Sequence, residues 1–510
     1  MRISTGQLFR QGVGGITAQQ SAVAKTQLQL ATGKRISTPA SDPAGSAQAL
    51  RLNERIRVTQ QHQENINYAR NRLGQEEGAV SRAIEVLQRA RELAVSANDA
   101  VLTASDRQAV SAEIEQRLAE LIDVANTQDA SGEFIFSGFK GTTVPFVKDV
   151  TGTTSYLGDQ GQRTLKIGTN NSVAVADSGF ETFVAIRNGN GTFSAVPGAS
   201  NAGRGVIDPG NLQDATAYDN DTYTVNMVSD SNVAGGAIGL TDSGTNDTLS
   251  YEVRINGVLI DTLGEGDSRT LAALETAIDG ATGTTGVAAH VDAGRLYLSN
   301  VVPGNSIVVS ETLVGATEDT DTVTGFFGSA LSGLSNPSGS VDLSGDANAF
   351  IVTDSANDVT TSGTYQPDAQ ISFRGIVTTV RGTPTQGDSF VLAPSVNQSI
   401  FATMDGLVSA LGLGDAALSN ALGKSLVDLD RGLDNLNEVR TAIGARRNTL
   451  DAQEGANADL DLELQSSLST LQDLDFAEAA SRLSRQLLAL ESAQLAFVRI
   501  QNLSLFSLLR

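Results

Sequence analysis

The sequence predicts an α+β protein: a discontinuous, coiled-coil-like rod of long helices drawn from both chain ends, with a mostly antiparallel β region inserted between them. Three observations predict it. All ten prolines fall between Pro39 and Pro394, and none lies between Pro43 and Pro145. Proline breaks helix interiors, so two proline-free zones, one toward each end, can hold long helices. Apolar residues repeat at alternating four- and three-residue steps in both zones, the spacing of a helical seam. From about 140 to 395 that repeat gives way to Gly, Thr, Ser, Asp and Val.

The first helix is expected over about 5–31, with Phe9, Val13, Ile16, Gln20, Val23, Gln27 and Leu30 as its seam. Gly33 suits the residue just past a helix end. The Gly12–Gly15 run should weaken the helix locally and is no phosphate loop, since no Gly-Lys-Ser/Thr follows. Asp42 offers an N-cap and Pro43 a first helical residue. A second helix is expected from Pro43 to about Asn98, on Leu52, Ile56, Thr59, Gln63, Ile66, Arg70, Leu73, Glu77, Val80, Ile84 and Leu87. It would run roughly 80 Å at 1.5 Å per residue. Ser105 with Gln108 reads as the capping box of a third helix ending near Ala125. Toward the other end, Leu422, Leu426, Leu429, Leu433, Leu436, Arg440, Ile443, Arg447 and Leu450 set a helix reaching about Leu471. Asp475 and Glu478 read as the cap pair of a last helix, striped by Leu483, Leu487, Leu490, Gln494, Phe497 and Gln501.

In the middle, strand-like runs recur at Tyr223–Val228, Leu249–Ile260, Ile307–Val309 and Ala369–Val380. Asn256-Gly257 is a two-residue hairpin signal, and Leu271–Ile278 a helical insert. One or two antiparallel β domains are expected there.

The chain carries a net charge of −23, and residues 141–400 hold 28 acidic against 10 basic residues. An acidic surface argues against nucleic acid as a partner, where basic patches supply affinity. No apolar run is long enough for membrane insertion, and Met1–Gly15 lacks the apolar core of a secretory signal. If the protein leaves the cell, the expected route needs no cleaved signal. Without cysteine, disulfides, thiolate metal sites and thiol nucleophiles are excluded.

Catalysis finds little support. His62 and His290 are the two histidines, and no Gly-x-Ser-x-Gly elbow occurs. No catalytic, cofactor-binding or metal site is assigned. Asp219-Asn220-Asp221 and Glu318-Asp319-Thr320-Asp321 lack EF-hand spacing and read as solvated turns. The residues that stand out are the seam side chains Phe9, Val13, Ile16, Val23, Leu30, Leu483, Leu487, Leu490 and Phe497. They serve either an intramolecular core alone or subunit packing as well.

Three segments resemble flagellins: ATGKRISTPASDPAGSAQAL at 31–50, RTAIGARRNTL at 440–450, and DLDFAEAASRLSRQLLALESAQLAFVRI at 473–500. GEFIFSG at 132–138, YLGDQGQR at 156–163, GTPTQGDSFVLAPSVNQSIF at 382–401 and LSLFSL at 503–508 resemble the hook-associated junction members of that superfamily. Residues 249–300 are similar to a β-rich module of flagellin variable regions. The resemblance implies a three-part division. A terminal helical assembly domain would comprise 1–42 and 474–510. A long-helix domain with β elements would comprise 43–180 and 365–473. A β-rich outer domain would occupy 181–364. It also implies an extracellular structural subunit of the bacterial flagellum, exported through the flagellar type III apparatus. Its partners would be other copies of itself, a neighbouring hook-associated protein, flagellin and an export chaperone. The readings it leaves open are a hook–filament adaptor, a bulk filament subunit, and a flagellin-like scaffold with a binding or enzymatic β insert.

Overall fold

The computed structural model describes residues 5–99, 102–150, 152–234, 237–241, 250–264, 266–314, 322–324 and 338–508. Its helices are α1 (Thr5–Thr32), α2 (Pro43–Ala97), α3 (Ala104–Ala125), α4 (Gly179–Phe183), α5 (Leu271–Gly280), α6 (Thr282–Thr285), α7 (Ile400–Ala410), α8 (Asp415–Gln472) and α9 (Phe476–Leu508). The chain divides into two compact units. The first comprises Met1–Leu73, Thr164–Val175 and Gly444–Arg510, and the second Gly74–Arg163 and Ala176–Ile443.

In the first unit, α1 lies against α9, and the early part of α2 lies against the late part of α8. The expected seam of α2 holds there: Ile56, Thr59 and Ile66 are buried, and Gln63 and Arg70 are half-buried. The polar seam residues meet partners on α8, Gln63 Nε2 donating to Glu454 Oε1 at 2.9 Å and Arg70 to Asp451 Oδ1 at 2.9 Å and to Glu454. The turns after α1 and after α8 pair with each other. Arg35 N donates to Gln472 O at 2.7 Å, and Leu474 N to Gly33 O at 3.0 Å. Gly33 makes this turn possible with φ +67°, a left-handed conformation open to glycine at little cost. Asp42 caps α2 as expected, Oδ1 accepting from Gly45 N at 2.9 Å. A hairpin of Thr164–Lys166 and Ser172–Ala174 is held by asparagines, Asn65 Nδ2 donating to Lys166 O at 2.7 Å and Asn457 Nδ2 to Ile167 O at 2.9 Å.

The second unit holds α3, α4 and α7 with the remaining parts of α2 and α8, and all the other strands. The capping box of α3 is formed by Thr103 and Asp106 rather than by Ser105 and Gln108. Thr103 has the extended backbone an N-cap needs, and the Asp106 carboxylate reaches back to Thr103 N at 3.0 Å. Ser105 and Gln108 lie inside the helix, so Ser105 lacks the extended backbone that lets an N-cap side chain reach back to the first turn. Beyond α3 the GEFIFSG segment delivers Phe136 into an aromatic cluster. Phe136 and Phe183 meet edge to face at 5.0 Å, and Phe146 and Phe401 lie tilted at 4.8 Å.

Among its described residues the β region has two large hydrophobic cores and a smaller cluster of Val228, Tyr297, Ala349 and Ile351. One large core contains Phe193, Tyr223, Val225, Met227, Val352, Phe373, Phe390 and Leu392. The other contains Tyr251, Val253, Ile255, Leu263, Leu271, Leu274, Ile278, Leu296 and Val309 among its members. Strand Tyr223–Ala234 serves both. Its first half pairs with Ala349–Thr353 and Ser389–Pro394, its second with Arg295–Asn300. The second core is therefore an insertion within the first in chain order. Every strand pairing among the described residues is antiparallel. Asn256 and Gly257 turn the hairpin of Ser250–Ile255 with Val258–Gly264, both at positive φ (50° and 80°), as a type I′ turn requires. Leu271–Gly280 is helical as expected, capped by Thr270 Oγ1 accepting from Ala273 N at 3.2 Å. Asp219-Asn220-Asp221 forms a turn with Asn220 at φ 62°, its carboxylates accepting from Tyr223 and Ser355 hydroxyls. Residues 318–321 lie outside the described residues.

Candidate assembly surface

The pairing of α1 with α9 is built from small and polar residues as much as from apolar ones. The Phe9 and Phe497 rings meet at 5.1 Å. A Cβ at Gly12 would stand 2.8 Å from the Phe497 ring, so glycine is what lets the ring lie on the α1 backbone. Two helical turns further along α1, Gln19 Nε2 donates to Gln486 O at 3.1 Å, and beyond it the Thr26 hydroxyl donates to Gln486 Oε1 at 2.8 Å. Near the end of α1, Gln29 Nε2 donates to Arg35 O at 2.7 Å.

The inward residues differ from the expected stripes by one position at alternate steps. On α1 they are Gly12, Ile16, Gln19, Val23, Thr26 and Leu30; on α9 they are Ala479, Leu483, Gln486, Leu490, Ala493 and Phe497. Both sets keep the four–three rhythm. Counting apolar letters selects Val13 over Gly12 and Leu487 over Gln486, because neither a ring-bearing glycine nor a hydrogen-bonded glutamine looks like core. Gln20, Gln27 and Gln494, expected on the seams, are exposed; the side chain of Gln501 lies outside the described residues. The glycines at 12, 14 and 15 do not interrupt α1.

Of the nine candidate packing residues, Val23 is buried, and Ile16, Leu30, Leu483, Leu490 and Phe497 are half-buried. Phe9, Val13 and Leu487 remain 46%, 41% and 45% exposed. Sequence reasoning missed the outer face of α9, where Leu488, Leu495 and Val498 are each more than half exposed. Positions 488, 495 and 498 share a face by helical spacing, a signal legible as a second stripe. Pairing α1 with α9 thus leaves both helices with uncovered apolar surface, the mark of a contact face.

His62 is buried on α2, and burial first, then the charge of Lys166, lowers its pKa. His290 lies in the second unit, opposite Tyr297 in a strand pair. Among the described residues no group of three His, Asp or Glu side chains could hold a metal ion, and no helix is long and apolar enough to cross a membrane.

Helices from both chain ends are joined by an aromatic and polar seam and keep uncovered apolar stripes, which makes the α1–α9 pair a candidate assembly surface. The N-terminal helical region of bacterial flagellin matches residues 3–141, and its C-terminal helical region matches residues 426–509. Both terminal regions of the chain are thus similar to flagellin, and among its relatives is hook-associated protein 3. The flagellar hook-associated protein 3 of Salmonella typhimurium is 29% identical over 197 residues, 39% of this chain and 60% of the relative. The chain thus spans less than two thirds of the length of the curated relatives it matches. The crystal structure of hook-associated protein 3 from Legionella pneumophila shares the fold at TM-score 0.56 and 23% identity, over 82% of this chain and 98% of that one. FlgL of Xanthomonas campestris does so at TM-score 0.55 and 21% identity, over 82% and 99%.

Proposed function

We propose that the chain is a structural subunit of the bacterial flagellum, an adaptor that joins hook to filament, acting through packing and without catalysis. The observation that carries this reading is the α1–α9 pair: the terminal helices hold each other through Phe9, Phe497, Thr26 and Gln486, yet leave Leu488, Leu495 and Val498 uncovered. Neighbouring subunits would cover those stripes. The partners are other copies of the chain, an adjoining hook-associated protein and flagellin, with a chaperone during export, and the working site is outside the cell.

The division into a terminal assembly domain (1–42, 474–510), a long-helix domain (43–180, 365–473) and an outer β domain (181–364) is part of this proposal. It assigns contact between copies to the two helical domains and display to the third. Sedimentation of the full-length protein with and without flagellin seeds, followed by electron microscopy, tests the reading. Protein that grows no long filaments alone but caps or joins filament ends supports it. Long filaments grown by the protein alone would make it a filament subunit instead, the reading that the match to both flagellin helical regions also favours.

A further inference from the structure

Two exposed faces of the first unit carry apolar side chains framed by charges of opposite sign. On α2, Leu50 and Val58 are 65% and 50% exposed. The segment from Leu50 to Val58 holds Arg51, Arg55 and Arg57 against the single acid Glu54. On α8, Leu462 is 70% exposed. Its neighbours Asp459, Asp461 and Glu463 are all acidic, with no base among residues 459–463.

Each face is electrostatically frustrated on its own helix. Arg51 with Arg55, and Asp459 with Glu463, are like-charged pairs four residues apart, an arrangement that destabilises a helix. All four side chains are exposed. Arg51 Nε reaches the Ala47 carbonyl at 3.4 Å. No ion pair to an acid or base partner is formed by any of the four among the described residues.

The two faces stand at the same level of the unit. Gln63 bonds Glu454 and Arg70 bonds Asp451 across the antiparallel helices. Following both helices eight residues from Gln63 and Glu454 at roughly the same rise per residue brings Arg55 level with Leu462, beside Glu463. They do not meet within the chain, because both lie outside the buried seam between α2 and α8.

We propose that these faces dock on each other between copies: Leu50 and Val58 of one copy against Leu462 of the next, with Arg51 and Arg55 pairing Asp459 and Glu463 around them. The inference deepens the assembly reading above and rests on it. Apolar contact with a charged border is the usual anatomy of an interface, and opposite potentials fix orientation and register. Two different faces make the contact heterologous. Copies therefore add side by side into a ring or helical row rather than closing as a dimer.

The chain has no cysteine, so engineered thiols report the contact cleanly. Full-length Leu50→Cys and Leu462→Cys variants are mixed and oxidised under assembly conditions. The expected product is the mixed disulfide between the two variants, in excess over either homodimer. Predominant Leu50→Cys homodimers, or no disulfide at all, would overturn the proposal.

Charge reversal gives an independent readout by sedimentation. Arg51→Glu/Arg55→Glu and Asp459→Arg/Glu463→Arg should each weaken self-association at least tenfold. Mixing the two double variants, or combining all four changes in one chain, should restore it. Doubles that associate like the parent, or a quadruple variant no better than the doubles, would count against the pairing. Circular dichroism separates lost contact from lost fold. Seeding on filament ends separates the two levels of the argument. If seeds still bind the double variants but the mixed disulfide is absent, this contact is wrong and the assembly reading stands. If the parent itself fails to bind seeds, the hook–filament reading fails, and the disulfide result judges the contact between copies separately.

Discussion

The ring of Phe9 rests on that of Phe497, centroids 5.1 Å apart and planes inclined at 47°, so that residues near opposite ends of the chain share one contact. Tilted aromatic pairs at this spacing add to simple area burial. The contact works because Gly12 leaves room for the Phe497 ring.

Replacing Phe497 by Ala should loosen the α1–α9 pair. Both rings are partly exposed, so the cost should be roughly half that of a buried phenylalanine, about 2 kcal/mol. Backbone amide exchange across residues 5–32 should speed up, with the β region unchanged. Equal acceleration in both regions would contradict a local role.

Gln486 should fix register more than it adds stability. In Gln486→Leu the single hydrogen of the Thr26 hydroxyl turns to Ala22 O, 3.0 Å away, so no buried donor is orphaned. Thermal unfolding should change by no more than about 1 kcal/mol. Polar residues within helical seams select one alignment over others. Thiol trapping in a Phe9→Cys background should therefore shift from Phe497→Cys toward Ala493→Cys, one turn away. Unchanged trapping would remove the register role.

Gly138 should tolerate no side chain. Its φ is +71°, and a Cβ there would lie 2.2 Å from Asp159 Oδ1 and 2.4 Å from Asp159 O. Gly138→Ala should cost about 2 kcal/mol or more in the stability of the second unit, read by chemical denaturation.

Asp159 should give a pH signature. Its Oδ1 accepts from Phe139 N at 2.9 Å and Gly161 N at 2.8 Å. The bond from Phe139 foremost, then that from Gly161, holds the carboxyl below its ordinary value against the opposing effect of burial. A depressed folded pKa means that the folded state favours the carboxylate. Its contribution is present above the unfolded pKa and disappears as pH falls through the folded one. The stability difference between parent and Asp159→Ala should be constant near neutrality and shrink below about pH 4. A difference that persists unchanged in strong acid would rule out the charge-assisted bonds as its source.

What the sequence determined by itself is the set of helices, their order and most of their faces. Proline placement and the four–three rhythm suffice for that, because long helices depend on local backbone chemistry and a continuous apolar stripe. The α2 stripe from Ile56 through Leu87 is buried or half-buried along its length, and the Asn256-Gly257 hairpin turns where its residues dictate. What the tertiary structure decided is which of two adjacent stripes on α1 and α9 turns inward. Gly12 and Gln486 turned inward because a ring and a hydroxyl on the partner helix needed space and an acceptor, and no single-helix pattern carries that information. The same holds for the nested β cores. Strand Tyr223–Ala234 is shared between them through pairings with residues up to about 170 positions away, and long-range register is set by packing rather than by local preference.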